Sequence, residues 1–475
     1  MRALAIVAWL ALSACGPTVL RERPDVAAGG SASVEQAGDA HYVRLRGQRL
    51  GPFVAIGSDS LRTSPDGAHW AFTARDESGW RVYVDGRAGR AWHGVGELVW
   101  SHDGADHVYA ASDGERWYVV GPGEAVGPAF DGIVAGSLQL AGEPAVSAYV
   151  ARDASGVHVL VGARRFGPFE GVGALRLDAE GRHFGFVERR GEDLFVHVDG
   201  ASRGPFEDVA ELRLAPRGGG FVASVLDEEG AWRALERGSL GPPWSSIGAA
   251  VFDAQGERLA YAAASGPLER ASWYVVVDGE RRGPFDHVDH RDLRFSRQGS
   301  ALAFAARSGG QVWVYERELP IEAPFLSVSW LGYAETRPVL GFVGHDRRDD
   351  AIVVGGVVRE RAPEVRTLRL SPSGERYAAT ILRSDGVTLS VDGRHHDYLD
   401  VVDATMGFDG TGAHWAALVA TTTEEELVIV RDGVVVERLP WDELAALLQA
   451  AAKQACAGGD PFTQLRGRVQ RVLSR

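Results

Sequence analysis

Residues 274–285 read Tyr-Val-Val-Val-Asp-Gly-Glu-Arg-Arg-Gly-Pro-Phe. A β-branched apolar run ends in Asp-Gly, a pair that accepts the positive φ angles of a two-residue hairpin, so the segment predicts two short antiparallel strands. The Val-Asp-Gly ending recurs at Val84-Asp85-Gly86, Val198-Asp199-Gly200 and Val391-Asp392-Gly393. The Pro-aromatic ending recurs at Pro52-Phe53, Pro128 with Phe130, Pro168-Phe169, Pro205-Phe206, Pro242 with Trp244, Pro324-Phe325 and Pro440-Trp441. A second marker, an apolar-x-apolar triplet before a Gly turn, runs in phase with these. It appears as Leu61…Gly67, Leu98…Gly104, Leu138…Gly142, Leu175…Gly181, Leu212…Gly218, Val251…Gly256, Leu293…Gly299, Leu368…Gly374 and Met406…Gly412. The glycines are spaced 37, 38, 39, 37, 38, 43, 75 and 38 residues apart, the 75 holding two units, one opening at Leu331. Two independent markers on one period define ten repeats of about 38 residues.

Within a repeat the pattern is β throughout. The seventh runs Leu293-Arg294-Phe295, a turn at Gln298-Gly299, Ala301 to Ala306, Ser308-Gly309-Gly310, Val312 to Tyr315, then Pro324-Phe325. Four strands make a small antiparallel sheet that cannot bury both faces alone, and stacking copies solves this while leaving only short edges. The predicted fold is therefore all-β: a β-propeller of four-stranded repeats, as one large ring or as two smaller propellers divided near the sixth repeat, whose insertion spans Ser265 to Ser272. The hairpin from Tyr42 to Phe53 adds half a unit and is expected to complete the last blade.

Ser64-Pro65-Asp66-Gly67 before Trp70-Ala71-Phe72, and Ser371-Pro372-Ser373-Gly374 before Tyr377-Ala378-Ala379, resemble the WD40-like β-propeller repeats of the TolB type. The resemblance spans roughly residues 61–440 and implies architecture; blades of this kind serve scaffolds, sensors and enzyme accessory domains alike. TolB's own partners do not carry over, because this chain has more repeats and no room for an α/β domain before them.

At the N-terminus, Met1-Arg2 precedes ten apolar residues, Ala3 to Leu12. That run covers about 15 Å as helix, half a bilayer core, so it reads as a signal segment of residues 1–14 and not a span. Leu12-Ser13-Ala14-Cys15 resembles the bacterial lipobox, which implies lipidation of Cys15 and a bacterial cell-envelope location. Gly16 after it favours the outer membrane by resemblance to the sorting rule of two-membrane bacteria. Plain signal cleavage after Ser13 is the other reading. Residues 15–40 lack apolar periodicity and read as a flexible tether to a folded body of residues 41–440. Cys456 is then a lone thiol.

The 475 residues carry 50 basic and 64 acidic groups, a formal charge of −14, which argues against nucleic acid as partner. Residues 441–475 turn helical: Leu444, Leu447, Leu448 and Ala451 share one face, and after Gly458-Gly459 a second helix carries Leu465, Val469 and Val472 inward, with Arg466, Arg468, Arg471 and Arg475 outward. No nucleophile elbow, zinc helix, phosphate loop or dinucleotide fingerprint is present, so no cofactor is implied. The polar clusters are Asp286-His287-Val288-Asp289-His290 and His395-His396-Asp397, both expected in connections between blades. With Trp92 and Trp244 near blade exits, they are the candidate binding-face residues. Trp117, Trp273 and Trp313 fall in third strands as core aromatics. Two functions fit: a lipid-anchored scaffold holding a protein or envelope polymer, and a hydrolase or lyase using loop residues such as His287, His290, Arg291 and His396.

Overall fold

In the computed structural model, Asp278 and Gly279 adopt φ of +51° and +86°, the hairpin turn that their sequence predicts. The structure describes residues 32–37, 40–45, 48–57, 60–66, 68–289, 291, 293–317, 319–421, 427–439 and 463–474. Cys15, His290, Cys456 and the helix read at residues 444–451 lie outside them. The other three Val-Asp-Gly turns have the same sign of φ, and Asp432-Gly433 is a fifth.

Each turn aspartate also does something that turn chemistry alone does not require. One carboxylate oxygen accepts the N–H of the residue that opens the second strand: Asp85 from Trp70 at 3.0 Å, Asp199 from Phe184 at 3.0 Å, Asp278 from Leu259 at 2.8 Å, Asp392 from Tyr377 at 2.9 Å and Asp432 from Trp415 at 3.1 Å. The other oxygen pairs with the residue before it: His69 at 2.6 Å, His183 at 2.7 Å, Arg258 at 3.0 Å, Arg376 at 2.7 Å and His414 at 2.6 Å. A hairpin turn thus fastens the start of the preceding strand. In the Gly turns the backbone carbonyl of the Ser or Asp three residues before the Gly accepts its N–H, as in Ser101–Gly104, Asp178–Gly181 and Asp409–Gly412.

Eleven antiparallel sheets follow in chain order among the described residues: 32–53, 55–88, 94–120, 132–169, 171–206, 208–240, 246–285, 287–325, 327–362, 365–398 and 400–439, here sheets 1 to 11. Sheets 2 to 11 are the ten repeats. Most are four-position meanders, though the first strand of sheets 2, 4, 7, 8 and 11 is split into two pieces that pair with the same neighbour. Where that strand is unbroken it kinks instead, as at Ala174 with φ +50° and at Trp330 with φ +50°.

Sheet 1 corrects one expectation. Its hairpin does not complete the last blade: strands Ala40–Leu45 and Gln48–Phe53 are joined by strand Ala32–Ala37, inside the stretch read as tether, into a three-stranded sheet of their own. Val43, Leu45 and Phe53 pack on Trp70 and Phe72 of sheet 2. On the other side Glu35 pairs with Arg44 at 2.6 Å and with Arg49 at 3.2 Å.

Stacking follows from strands apolar on both faces. In strand Val146–Asp153, Tyr149 and Ala151 join the core shared with sheet 3, while Ala148 and Val150 join that shared with sheet 5. Alternation of side chains across a strand divides one apolar run between two cores. The same holds between each neighbouring pair from sheet 1 to sheet 7 and again from sheet 8 to sheet 11. The chain divides into two compact units between Pro284 and Phe285, at the end of the sixth repeat. In the second, helix α1 (Thr463–Leu473) lays Leu465, Val469, Val472 and Leu473 on Ala416, Leu418 and Ile429 of sheet 11. The predicted apolar face is the one used. The arginine side is less free than expected, since Arg468 Nε donates to Glu437 at 2.6 Å. The fold is all-β, of β-propeller blades with a short helical tail.

Candidate functional site

The loop clusters of the sequence do not form one site. His287 is exposed at the start of sheet 8, in strand His287–Val288. His395 and His396 are not in a connection at all: the Asp392-Gly393 turn ends early enough for both to enter strand Arg394–Tyr398, opposite Ser390 and Leu389. His395 Nε2 meets Glu360 Oε1 at 2.7 Å. The other oxygen of Glu360 accepts from Tyr377 Oη at 2.9 Å and Ser390 Oγ at 2.5 Å. Glu360 comes from sheet 9 and its three partners from sheet 10, so this set clamps neighbouring blades. Ser390 is fully buried and bonds the carboxylate, not the imidazole, so it is not an activated nucleophile. The ring of His396 lies 5.3 Å from that of Trp415.

Trp92 and Trp244 are also corrected. They are 5% and 3% exposed and belong to the cores between sheets 2 and 3 and between sheets 6 and 7. Their indoles are too large to leave at a blade exit when a neighbouring sheet is there to cover them.

A polar set that the sequence reading passed over sits in sheet 4. His158, 2% exposed, brings Nε2 within 3.0 Å of both Asp153 Oδ1 and Ser155 Oγ and 2.8 Å of Arg165. All three partners crowd one nitrogen, whereas a proton relay uses both. The set therefore holds a turn. Its signal was present as Asp153-Ala154-Ser155 ahead of His158, a spacing that means little until a hairpin folds it.

Hydrogen bonding, first from Ser155, holds Asp153 below the ordinary aspartate value; the Ser78 hydroxyl does so for Asp76 and the Arg233 guanidinium for Asp227. Backbone N–H groups, first that of Arg116, bring Asp113 to about 2. A carboxylate depressed on folding stabilises at pH above its unfolded value, here 3.8, and loses that contribution as pH falls through its folded value. Thermal melts should accordingly be flat in these groups from neutrality to about pH 4 and fall steeply below it. A melting temperature that drops mainly between pH 7 and 5 contradicts this.

A cleft of about 420 Å³ opens between sheets 6 and 7, walled by Phe221, Phe252, Leu240 and Pro242. Glu236, Tyr261 and Arg281 are among its polar groups, with Arg237, Glu257 and Asp278 also on its lining. Burial raises Glu236 above the usual carboxylate range, partly offset by the Tyr261 hydroxyl, and burial likewise raises Tyr261. The Arg281 guanidinium lies 4.4 Å over the Trp244 ring. A half-desolvated carboxyl, a phenol and a stacked guanidinium beside apolar walls can orient the polar end of an amphipathic ligand. Because a raised carboxyl opposes folding once ionised, Glu236→Gln should stabilise the protein at pH 7, the gain vanishing below the ordinary glutamate value of 4.5. Equal melting temperatures at pH 7 would contradict the burial argument.

Neither a protein-family model nor a curated protein matches the chain. Among solved structures it is similar to a eukaryotic initiation factor (11% identity, 69% of this chain and 96% of that one, TM-score 0.33). It is also similar to the β-propeller domain of the Trilobed protease from Pyrococcus furiosus (11%, 58% and 98%, TM-score 0.26) and to TolB from Acinetobacter baumannii (12%, 60% and 77%, TM-score 0.24). The blade assignment rests on the sheet order and packing of this chain.

Proposed function

We propose that this chain is an envelope-anchored binding or scaffold module, lipidated at Cys15 in the outer membrane, holding a protein or cell-envelope polymer near the membrane. The supporting observation is that consecutive sheets occupy the described chain from Ala32 to Leu439, so its surfaces are sheet edges, turns and inter-sheet clefts such as that of Glu236. Folded units behind a tether suit this role, because confinement raises the effective concentration of a weakly held partner. Of the residues that carry the hydrolase or lyase alternative, His396 packs on Trp415, while His287 is exposed at the start of sheet 8.

Cys15→Ala tests the anchor. Expressed in a bacterial host, the native chain should enter the detergent phase on phase separation and the variant the aqueous phase. If both stay aqueous, the anchor is wrong. Cross-linking in cells should then capture one reproducible envelope partner with the native chain; capture of a small-molecule turnover activity abolished in His287→Ala would replace the scaffold with an enzyme.

A further inference from the structure

Where this chain buries a carboxylate beside its strands, it tends to supply a basic partner. Glu188 is buried and meets His197 at 2.7 Å and Arg190 at 3.0 Å, and buried Asp350 meets His345 at 2.8 Å. The pattern follows from the cost of leaving a desolvated charge alone. The cleft between sheets 6 and 7 departs from it.

Glu236 ends strand Trp232–Glu236 of sheet 6 and is drawn partly out of water, yet it forms no ion pair among the described residues. Tyr261, buried in strand Leu259–Ser265 of sheet 7, lines the same cleft with its hydroxyl toward Glu236. The Arg281 guanidinium, from strand Glu280–Phe285, is also outside any ion pair among the described residues and is held over the Trp244 ring. Arg237 and Glu257 are exposed on the lining and are equally without an ion-pair partner there. Charged groups of both signs thus share one cleft without neutralising one another. Beside them stands apolar surface from Phe221, Phe252 and Leu240, the last of these exposed. Groups that weaken the free protein and converge on a cavity mark a binding site.

We propose that this cleft binds a small zwitterion with an apolar body, of the class of a free apolar amino acid or dipeptide. Its ammonium group meets Glu236 and the Tyr261 hydroxyl, its carboxylate meets the Arg281 guanidinium, and its apolar side chain covers Phe221, Phe252 and Leu240. A guanidinium offers a carboxylate a two-point fork, and stacking on Trp244 orients that fork in advance. A ligand with one charge leaves the opposite pole of the cleft unanswered, so the site selects for both. All the lining residues lie in the compact unit that ends at Pro284, and the site does not depend on the anchor at Cys15.

The test is isothermal titration calorimetry of the full-length protein in detergent at pH 7, with L-phenylalanine and with L-leucyl-L-phenylalanine. At least one should bind saturably to a single site. Phenethylamine, which lacks the carboxylate, and 3-phenylpropanoate, which lacks the ammonium group, should each bind about 10-fold more weakly or worse. Glu236→Gln and Arg281→Gln should each weaken the zwitterion by a similar factor, with circular dichroism showing both variants folded. Glu236→Gln separates the site from the fold, because it should lose the ligand while its melting temperature at pH 7 rises. Absence of binding by both zwitterions overturns the proposal, as does a singly charged analogue that binds as tightly, or an affinity left unchanged by either substitution.

Discussion

Replacing Phe186 with Ala should destabilise the protein by about 3–5 kcal/mol, the range for emptying a large aromatic site in a core that cannot collapse. Phe186 is fully buried between sheets 4 and 5. Its ring stacks on His197 at 4.6 Å with an interplanar angle of 5°, and lies 5.3 Å from Phe169. These neighbours are fixed by two different sheets, so neither can move into the space without disturbing its own ladder. Urea unfolding of the full chain measures the loss. Leu268→Ala, at a residue 66% exposed, is the reference and should change stability by less than about 0.5 kcal/mol. Equal midpoints for the two variants would mean that blade stacking is not what holds this region.

Gly142→Ala should be the second large effect, and its comparison with Gly136→Ala separates two causes. Both glycines have positive φ, +84° and +76°. At Gly136 an added Cβ meets nothing within 4 Å, so only backbone strain is expected, about 1–2 kcal/mol. At Gly142 that Cβ would stand 2.3 Å from the carbonyl oxygen of Glu180, in the turn of the next sheet. A Cβ on Gly181 would reciprocally stand 2.6 Å from the Ala141 oxygen. Two Gly turns of neighbouring blades touch backbone to backbone, and forcing them apart adds about 1–3 kcal/mol to the strain. Thermal or urea unfolding of both variants checks this; a Gly142→Ala loss no larger than that of Gly136→Ala rules out the docking of turns.

The repeat count was legible because each repeat writes the same local demands: φ > 0 at Asp-Gly, a turn Gly after each triplet, and apolar residues at consecutive strand positions. The inward face of α1 was legible for the same reason, since Leu465, Val469 and Val472 recur at helical spacing. The candidate site was less so. Glu360 gives no sign in sequence of meeting Tyr377, Ser390 and His395, because a blade-to-blade contact joins residues up to 35 positions apart with no spacing rule. Glu236 and Tyr261 form a cleft only because sheets 6 and 7 stack.

The sequence by itself determined the period, the strands and the turns, because these depend on backbone sterics and on side-chain alternation within a few residues. Tertiary structure alone decided which polar residues became clamps, that Trp92 and Trp244 fill cores, and that residues 32–53 form a sheet of their own. The physical reason is common to all three: burial and pairing are set by which sheet lies opposite, and that partner is chosen by packing across the stack, which no local pattern encodes.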